Sequence, residues 1–309
     1  MQGTVILVVR LFVVGATGVL GRSALTALVE AGHRVSGVAR SAEKAASLRA
    51  LGAEPVSVDL FDPASLASAV EGHEVVCNIA TRIPRASYFL RSAWKENDRL
   101  HRDLSRLLVD AALKVGARRY LQHSVAFMYA DGGDRWLDED SPLDIPPHGV
   151  AMVQAEESAR RFSESGGAGI AMRFGFFYGP GVPSARDIAR MSRSGFLAFP
   201  GPAGAYLPWI HVDDLGSAVV TALDVPAGVY NVTDDDPLTR SELGEAIARA
   251  RGRTKSLRPA PSLITKVMGS RYDYMSRSQR VSNARFKESA RWTPKVPSSR
   301  DVWGSVLTS

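Results

Sequence analysis

Leu11-Phe12-Val13-Val14-Gly15-Ala16-Thr17-Gly18-Val19-Leu20-Gly21 is the stretch of this chain that decides its fold. Apolar residues of strand character run directly into glycines spaced three apart, and a helical pattern follows as far as Ala31. In this arrangement the first glycine permits a tight turn, the second lets the backbone approach a ligand, and the third lets a helix pack closely on the strand. A strand, a phosphate-binding turn and a helix are therefore predicted here.

The alternation of short apolar strands with helical stretches continues through the first half of the chain. This pattern is typical of a parallel sheet covered by helices on both faces. We therefore predict an α/β fold with a doubly wound parallel sheet of the Rossmann type over residues 9–180. Beyond Gly179-Pro180-Gly181 the alternation stops, so residues 181–309 are predicted to form mainly a small C-terminal substrate lobe, interleaved with the sheet. The strands predicted after the first lie at residues 34–39, 55–58, 74–79, 119–124 and 169–174.

Composition indicates the compartment. The chain has 309 residues, 45% hydrophobic and 23% charged, as in an ordinary globular protein. Its apolar stretches at residues 4–9 and 11–14 are far shorter than the roughly 20 residues that span a bilayer, and the features of a signal peptide are missing. The single cysteine, Cys77, cannot form an internal disulfide and sits in an apolar run that indicates burial. A cytoplasmic protein without membrane interaction is predicted, with residues 1–8 as an upstream extension.

The net charge of +6 is concentrated near the C-terminus. Residues 251–300 hold thirteen Lys or Arg against Asp273 and Glu288, a local net charge of +11. This segment is either a solvated basic surface or a basic lid that faces an anionic substrate or phosphate groups. It shows no interleaved aromatic platform and no recognised nucleic-acid-binding motif, so no nucleic-acid binding is predicted. The six histidines lack metal-ligand spacing, so no metal site is predicted.

The glycine turn and the end of the second predicted strand together indicate a nicotinamide dinucleotide. A helix that begins directly after such a turn offers free backbone amides to a pyrophosphate. An NAD-binding chain usually has an acid roughly 20 residues farther on, which binds the ribose 2′-hydroxyl. Here no acid lies between Glu30 and Glu43, and Arg40, with Ser41 beside it, can bind a 2′-phosphate, so NADP is favoured over NAD. The turn residues predicted to bind the cofactor are Gly15, Thr17, Gly18, Val19, Leu20 and Gly21.

The spacing Gly-x-x-Gly-x-x-Gly and four later stretches resemble the short-chain dehydrogenase/reductase superfamily, in its extended or atypical epimerase/dehydratase-like form. The four stretches are Val58-Asp59-Leu60, Asn78-Ile79-Ala80-Thr81, Arg173-Phe174-Gly175-Phe176-Phe177-Tyr178-Gly179-Pro180-Gly181 and Trp209-Ile210-His211-Val212-Asp213-Asp214-Leu215. They occur in the order that the superfamily has. The resemblance implies that the cofactor is also contacted by Asp59, Leu60, Ala80, Thr81, Phe174 and Phe176. The His211 element is interpreted as structural, holding the second lobe.

A central feature of that superfamily is missing. Its members use a Tyr-x-x-x-Lys pair, in which the lysine lowers the phenol pKa and the tyrosine exchanges a proton with the substrate oxygen. None of the eight tyrosines here has a lysine four residues later. Alignment on Ala155-Glu156 puts His148 at the tyrosine position and Met152 at the lysine position. The usual acid-base pair is therefore absent from this sequence.

Three side chains, or ordered water, remain as candidates for proton delivery. Ser124 lies at the end of the fifth predicted strand, where it either polarises a substrate carbonyl or only ends the strand. Alignment of Tyr129 with the superfamily's Val-Tyr-Gly puts the catalytic serine position at Val125 instead. The candidate catalytic residues are Ser124, Tyr129 and His148.

These observations predict an NADP-dependent oxidoreductase of the atypical short-chain dehydrogenase/reductase type. It would transfer hydride between the nicotinamide and a carbonyl, alcohol or conjugated double bond of a small molecule. Two alternatives stay open. One is a non-redox epimerase, dehydratase or cyclase on the same fold, and the other is an NADP-sensing binding protein without turnover that contacts a partner through residues 251–300. The oligomeric state is not determined by the sequence.

Overall fold

The computed structural model describes residues 8–84, 91–147, 149–194, 199, 201–254 and 271–308. Residues 1–7, His148 and residues 255–270 of the basic segment lie outside the described residues. The strands are β1 (Arg10–Val14), β2 (Arg34–Val38), β3 (Glu54–Val56), β4 (Val75–Asn78), β5 (Arg119–Val125), β6 (Trp136–Leu137), β7 (Ala168–Phe174), β8 (Phe176–Tyr178), β9 (Trp209–His211), β10 (Gly228–Val232) and β11 (Arg280–Val281). The helices are α1 (Val19–Glu30), α2 (Ala42–Ala50), α3 (Pro63–Val70), α4 (Lys95–Lys114), α5 (Val150–Glu164), α6 (Pro183–Arg193), α7 (Val212–Thr221), α8 (Arg240–Ala250), α9 (Arg271–Met275), α10 (Ala284–Ala290) and α11 (Trp303–Thr308). Among these helices, none combines the length and the apolar character needed to cross a membrane.

Seven strands form the main sheet, in the order β10-β7-β5-β4-β1-β2-β3. β1 pairs in parallel with β2 and β4, β2 with β3, and β4 with β5. The register pairs Val14 with Asn78 and Asn78 with Gln122, so the carboxyl ends of β1, β4 and β5 lie at one edge. This architecture confirms the predicted α/β fold with a doubly wound parallel sheet of the Rossmann type.

The sheet extends one strand beyond the last that the sequence predicts. β10 lies beside β7 at the edge, so the prediction that the strand at residues 169–174 completes the sheet is wrong. The residues of β10, Gly-Val-Tyr-Asn-Val, show no clear alternation of apolar and polar positions and follow the stretch in which strands and helices alternate. Their extended conformation depends on pairing and packing in the sheet, which single-sequence patterns do not report.

Local signals set several helix ends. Asp62 Oδ2 accepts a hydrogen bond from Ser65 N at 2.7 Å, and Pro63 occupies the first turn of α3. Thr239 and Glu242 form a reciprocal capping box at the start of α8. These caps satisfy amides that a helix start otherwise leaves without partners.

One hydrophobic core packs α3, α4 and α5 against the sheet. Cys77 of β4 is fully buried, as predicted, and burial raises the pKa of its thiol to about 12. A thiol with this pKa stays protonated near neutral pH and behaves as a small apolar group.

The largest members of the core between α3, α4, α5 and the sheet are Phe12, Tyr120, Phe162, Leu66, Leu104 and Leu108.

The chain divides into two compact units. Unit 1 comprises the described parts of Met1–Ser124, Pro147–Met172 and Leu215–Tyr230, and unit 2 those of Val125–Pro146, Arg173–Asp214 and Asn231–Ser309. The chain therefore enters unit 2 at Val125, earlier than the boundary at 180 that the sequence predicts. The reason is that the loop after β5 carries β6, whose partner β11 belongs to the same unit.

Candidate functional site

The glycine turn in unit 1 leaves no room for a side chain at Gly15 or Gly21. Gly15 has φ +91°, and a Cβ added there would lie 2.5 Å from the backbone nitrogen of Ala80, directly after β4. A Cβ on Gly21 would lie 2.2 Å from Gly15 O. Gly18 N donates to Gly15 O at 3.0 Å, which closes the turn. Glycine is thus required for the contact of this turn with the residues that follow β4.

The start of α1 offers backbone amides to an anion. Gly18 is the N-cap residue, is exposed, and has no side chain that could cap the helix, and the first turn contains no acid. Arg22 Nη1 donates to Thr17 O at 3.0 Å, and this hydrogen bond stabilises the backbone just before α1. An uncapped helix start with the positive end of the helix dipole suits a phosphate group. The residues present therefore fit a pyrophosphate.

The other predicted cofactor residues of unit 1 follow the carboxyl ends of β2, β3 and β4. Arg40 is exposed, and among the described residues no hydrogen bond or ion pair occupies its guanidinium. Ser41 caps α2, because its Oγ accepts from Lys44 N at 3.3 Å. Asp59 is exposed and accepts from Phe61 N at 2.9 Å. Farther in, Leu60 is half-buried, Ala80 is buried and Thr81 is exposed.

Ser124 is directed into the interior of unit 1. It is fully buried, and its Oγ donates to Glu156 Oε1 at 2.5 Å. A hydroxyl proton held by this carboxylate is not offered to a substrate oxygen. This geometry favours a structural interpretation of Ser124 over a catalytic one, although β5 continues to Val125 and Ser124 does not end it. In the sequence, the Ala155-Glu156 pair is the signal for this acceptor, the Glu156 carboxylate.

Tyr129 is buried and hydrogen-bonded inside unit 2. Its phenol is fully buried, donates to Asn231 Oδ1 at 2.7 Å and accepts from Arg173 Nη1 at 2.9 Å. Burial is the main cause that raises the pKa of Tyr129 to about 12. A phenol with this pKa and these two partners is poorly suited to proton transfer. The third candidate, His148, lies outside the described residues.

Unit 1 also contains a buried polar cluster, formed by Asn78, Asn97 and His101, that the sequence does not indicate. On α4, Asn97 O accepts from His101 Nδ1 at 2.8 Å, and Asn97 Oδ1 accepts from Arg82 N at 2.9 Å. Burial lowers the pKa of His101 to about 4, so its ring is neutral near pH 7. Asn97 Nδ2, His101 Nε2 and Asn78 Oδ1 have no hydrogen-bond partner within the described residues. Buried polar atoms of this kind commonly bind ordered water.

Aromatic rings follow β5 and β7 in unit 2. The rings of Phe127 and Phe176 stack with centroids 4.3 Å apart and planes 6° apart, and the Phe176 ring lies 5.5 Å from that of Trp209. Phe127 and Phe176 are half-buried, whereas Phe174 is buried against Phe177. We call Phe127, Phe176 and Trp209 the aromatic platform.

The remaining motifs of unit 2 have structural partners. Asp214 is fully buried and accepts from Lys295 N at 2.5 Å and from Val296 N at 3.1 Å, consistent with a structural interpretation of the His211 element. Six described cations of the basic segment bind partners within the unit, which does not favour a solvated surface or a lid for these side chains, whereas Arg291 and Lys295 are exposed. The pairs are Arg251 with Ser192, Arg253 with Ser192 and Arg193, Arg277 with Asp144, Arg285 with Asp140, Lys287 with Asp235, and Arg300 with Asp236. Within the described residues no group of three potential metal ligands occurs.

Comparison with known proteins identifies the family. Residues 11–233 match the NAD dependent epimerase/dehydratase family. The chain belongs to this family. It is 34% identical over 308 residues to a 3-diazoavenalumate denitrifying reductase from Streptomyces sp., with 96% of this chain and 99% of the relative covered.

Two further proteins are similar to this chain. An NAD(P)H azoreductase from Xenophilus azovorans is 25% identical over 250 residues, which covers 79% of this chain and 74% of the relative. The structure of the human epimerase family protein SDR39U1 (isoform 2) with NADPH superposes with a TM-score of 0.79 at 21% identity, covering 97% of this chain and 99% of that one. At this identity the structural match establishes the fold alone.

Proposed function

We propose that this protein is an NADP-dependent oxidoreductase of the atypical short-chain dehydrogenase/reductase type, which moves hydride between the nicotinamide and a small molecule. The observation that carries the proposal is the turn at Gly15, closed against Ala80 and followed by an uncapped helix. When bound, the cofactor supplies or accepts the hydride. The chain's own part is to bind the pyrophosphate at the start of α1 and to hold the turn in place.

Arg40 supports NADP rather than NAD. It follows β2, is exposed, and stands where an NAD-binding chain has an acid. A guanidinium can donate two parallel hydrogen bonds to a phosphate. The names of two relatives, a denitrifying reductase and an NAD(P)H azoreductase, support reduction as the direction of the reaction.

The proposal is tested by NADPH oxidation, followed by absorbance with a panel of small electrophiles. We expect at least one acceptor to be reduced with one NADPH consumed per product. Conversion of a compound while the cofactor absorbance stays constant would favour the non-redox epimerase, dehydratase or cyclase instead. A protein that binds NADPH and leaves the whole panel unchanged would contradict the oxidoreductase proposal and favour the sensor.

Tyr129→Phe is expected to keep the rate of NADPH oxidation within about twofold of the wild-type rate. It should lower the free energy of unfolding by about 1–3 kcal/mol, because Arg173 and Asn231 lose a buried hydrogen-bond partner. Initial rates and urea unfolding measure the two effects. Tyr230→Phe is the control, because Tyr230 is also buried and its phenol donates to a backbone oxygen, Pro226 O, at 2.9 Å. A rate reduced about 100-fold without loss of stability would mean that Tyr129 takes part in catalysis.

A further inference from the structure

We infer that the buried polar cluster of unit 1 binds one ordered water molecule between α4 and the end of β4, and that this water positions the segment against which the glycine turn closes. The water site itself is independent of the proposed function, whereas its positioning role rests on dinucleotide binding at that turn. The three residues of the cluster are almost completely buried, with 0% of Asn78, 1% of Asn97 and 0% of His101 exposed.

Protein partners fix the orientation of each side chain in the cluster. Asn97 Oδ1 accepts from Arg82 N at 2.9 Å, so Nδ2 is the end of this amide that has no partner. His101 Nδ1 lies 2.8 Å from Asn97 O, which can only accept, so Nδ1 carries the proton and Nε2 keeps a free lone pair. Asn78 Nδ2 donates to Gln122 Oε1 at 3.1 Å, which leaves its Oδ1 as the free end.

The side chains of the cluster come from elements in direct contact. Asn97 and His101 stand one turn apart on α4 and therefore share a helix face. Asn78 is the last residue of β4, and its Nδ2 lies 3.5 Å from Leu100 O, the carbonyl that directly precedes His101. The free atoms of the cluster therefore lie in the same buried region, between one turn of α4 and the end of β4.

The chemistry of the free atoms selects water as the ligand. Asn97 Nδ2 is a donor, whereas His101 Nε2 and Asn78 Oδ1 are acceptors. One water molecule can accept from the first and donate to the other two, and three hydrogen bonds are typical of buried water. A metal or ammonium cation cannot accept from Asn97, and a simple anion cannot donate to the two acceptors. Without a ligand, each of these buried atoms would cost stability.

The cluster adjoins the segment that contacts the glycine turn. This segment begins after Asn78 and includes Ala80, whose backbone nitrogen is the atom nearest to a Cβ added on Gly15. Two residues later, Arg82 N is bound by Asn97. The water thus orients the side chain that precedes the segment and the side chain that binds its far end. Asn78, Asn97 and His101 are positioning residues, because they act on the dinucleotide site through this backbone.

A high-resolution crystal structure of the full chain without cofactor tests the site directly. We expect one water oxygen within about 3.2 Å of Asn97 Nδ2, His101 Nε2 and Asn78 Oδ1. Absence of density at this position would overturn the inference. So would rotated side chains whose three atoms bond to protein groups instead.

His101→Phe tests the positioning role. The change keeps a ring in the buried position and removes the Nε2 acceptor, so the water retains two partners and orients Asn97 less firmly. We expect NADPH affinity to fall about fivefold to tenfold, the size of effect that loss of one hydrogen bond has. The dissociation constant is measured by NADPH fluorescence, together with thermal unfolding of the apoprotein.

His73→Phe is the matched control. His73 is also buried in unit 1, but both of its ring nitrogens have protein partners, Val70 O at 3.1 Å and Ser36 Oγ at 2.9 Å. It precedes β4, whereas Asn78 ends that strand. Both variants should lower the temperature of thermal unfolding, because each removes buried hydrogen bonds. NADPH affinity of His73→Phe should stay within about twofold of the wild type.

Equal NADPH affinities of the two variants would overturn the positioning role, since a purely structural histidine would affect thermal unfolding alone. Failure of the wild-type protein to bind NADPH would overturn the proposed function and the positioning role together. The crystal structure still decides in that case whether the cluster holds its water, so the two failures can be told apart.

Discussion

Gly15→Ala is expected to reduce NADPH affinity at least about 100-fold, which corresponds to about 2.7 kcal/mol of binding free energy. The Cβ would lie 2.5 Å from the Ala80 nitrogen, and the backbone has φ +91°, a conformation that L-residues rarely adopt. The neighbour is backbone and cannot rotate away, so the turn itself must move from β4. The dissociation constant is measured by NADPH fluorescence, together with thermal unfolding of the apoprotein.

Gly32→Ala is the matched control for this change. Gly32 has φ +86°, nearly the same backbone conformation, but an added Cβ would meet nothing within 4 Å. This variant should lose about 1–2 kcal/mol of stability from strain and keep the NADPH affinity of the wild type. If both variants bind NADPH as tightly as the wild type, the turn does not hold the pyrophosphate.

Arg40→Asp is expected to weaken NADPH binding about 100-fold and to leave NADH binding unchanged or improved. The change removes a guanidinium from the predicted 2′-phosphate site and introduces a repelling carboxylate that can bind a ribose hydroxyl. Because Arg40 is exposed and follows β2, little effect on folding is expected. Titration of both cofactors gives the ratio of the two dissociation constants.

Arg49→Asp is the control, since Arg49 is also exposed and lies in the last turn of α2. It makes the same change of net charge away from the predicted phosphate site. The two variants should therefore differ by at least about tenfold in NADPH affinity, because long-range charge effects at the surface are small in salt. Equal effects of both changes would mean that Arg40 acts only through net charge.

The parallel sheet and the glycine turn could be predicted because their signals are local. The apolar run at residues 11–14 leads into Gly15, and the added-Cβ distances explain why glycine is needed there. β10 could not be predicted, because its five residues depend on pairing at the sheet edge. The entry into unit 2 at Val125 has no local signal, since β6 and its partner β11 are far apart in the sequence.

The candidate catalytic residues were harder to judge from the sequence. Their residue types suit proton transfer, but the direction of each side chain depends on residues distant in the chain. Ser124 donates to Glu156, 32 residues away, and Tyr129 donates to Asn231, 102 residues away. Patterns within one stretch of sequence do not contain such partners. The missing Tyr-x-x-x-Lys pair, by contrast, is visible in the sequence itself.

The measurement that tests this account most directly is a fluorescence titration of the purified wild-type protein with NADPH and, in parallel, with NADH. We expect NADPH to bind in the micromolar range and NADH to bind at least about tenfold more weakly. Absence of binding for both cofactors would contradict it, because the oxidoreductase and sensor proposals both depend on the dinucleotide at the Gly15 turn.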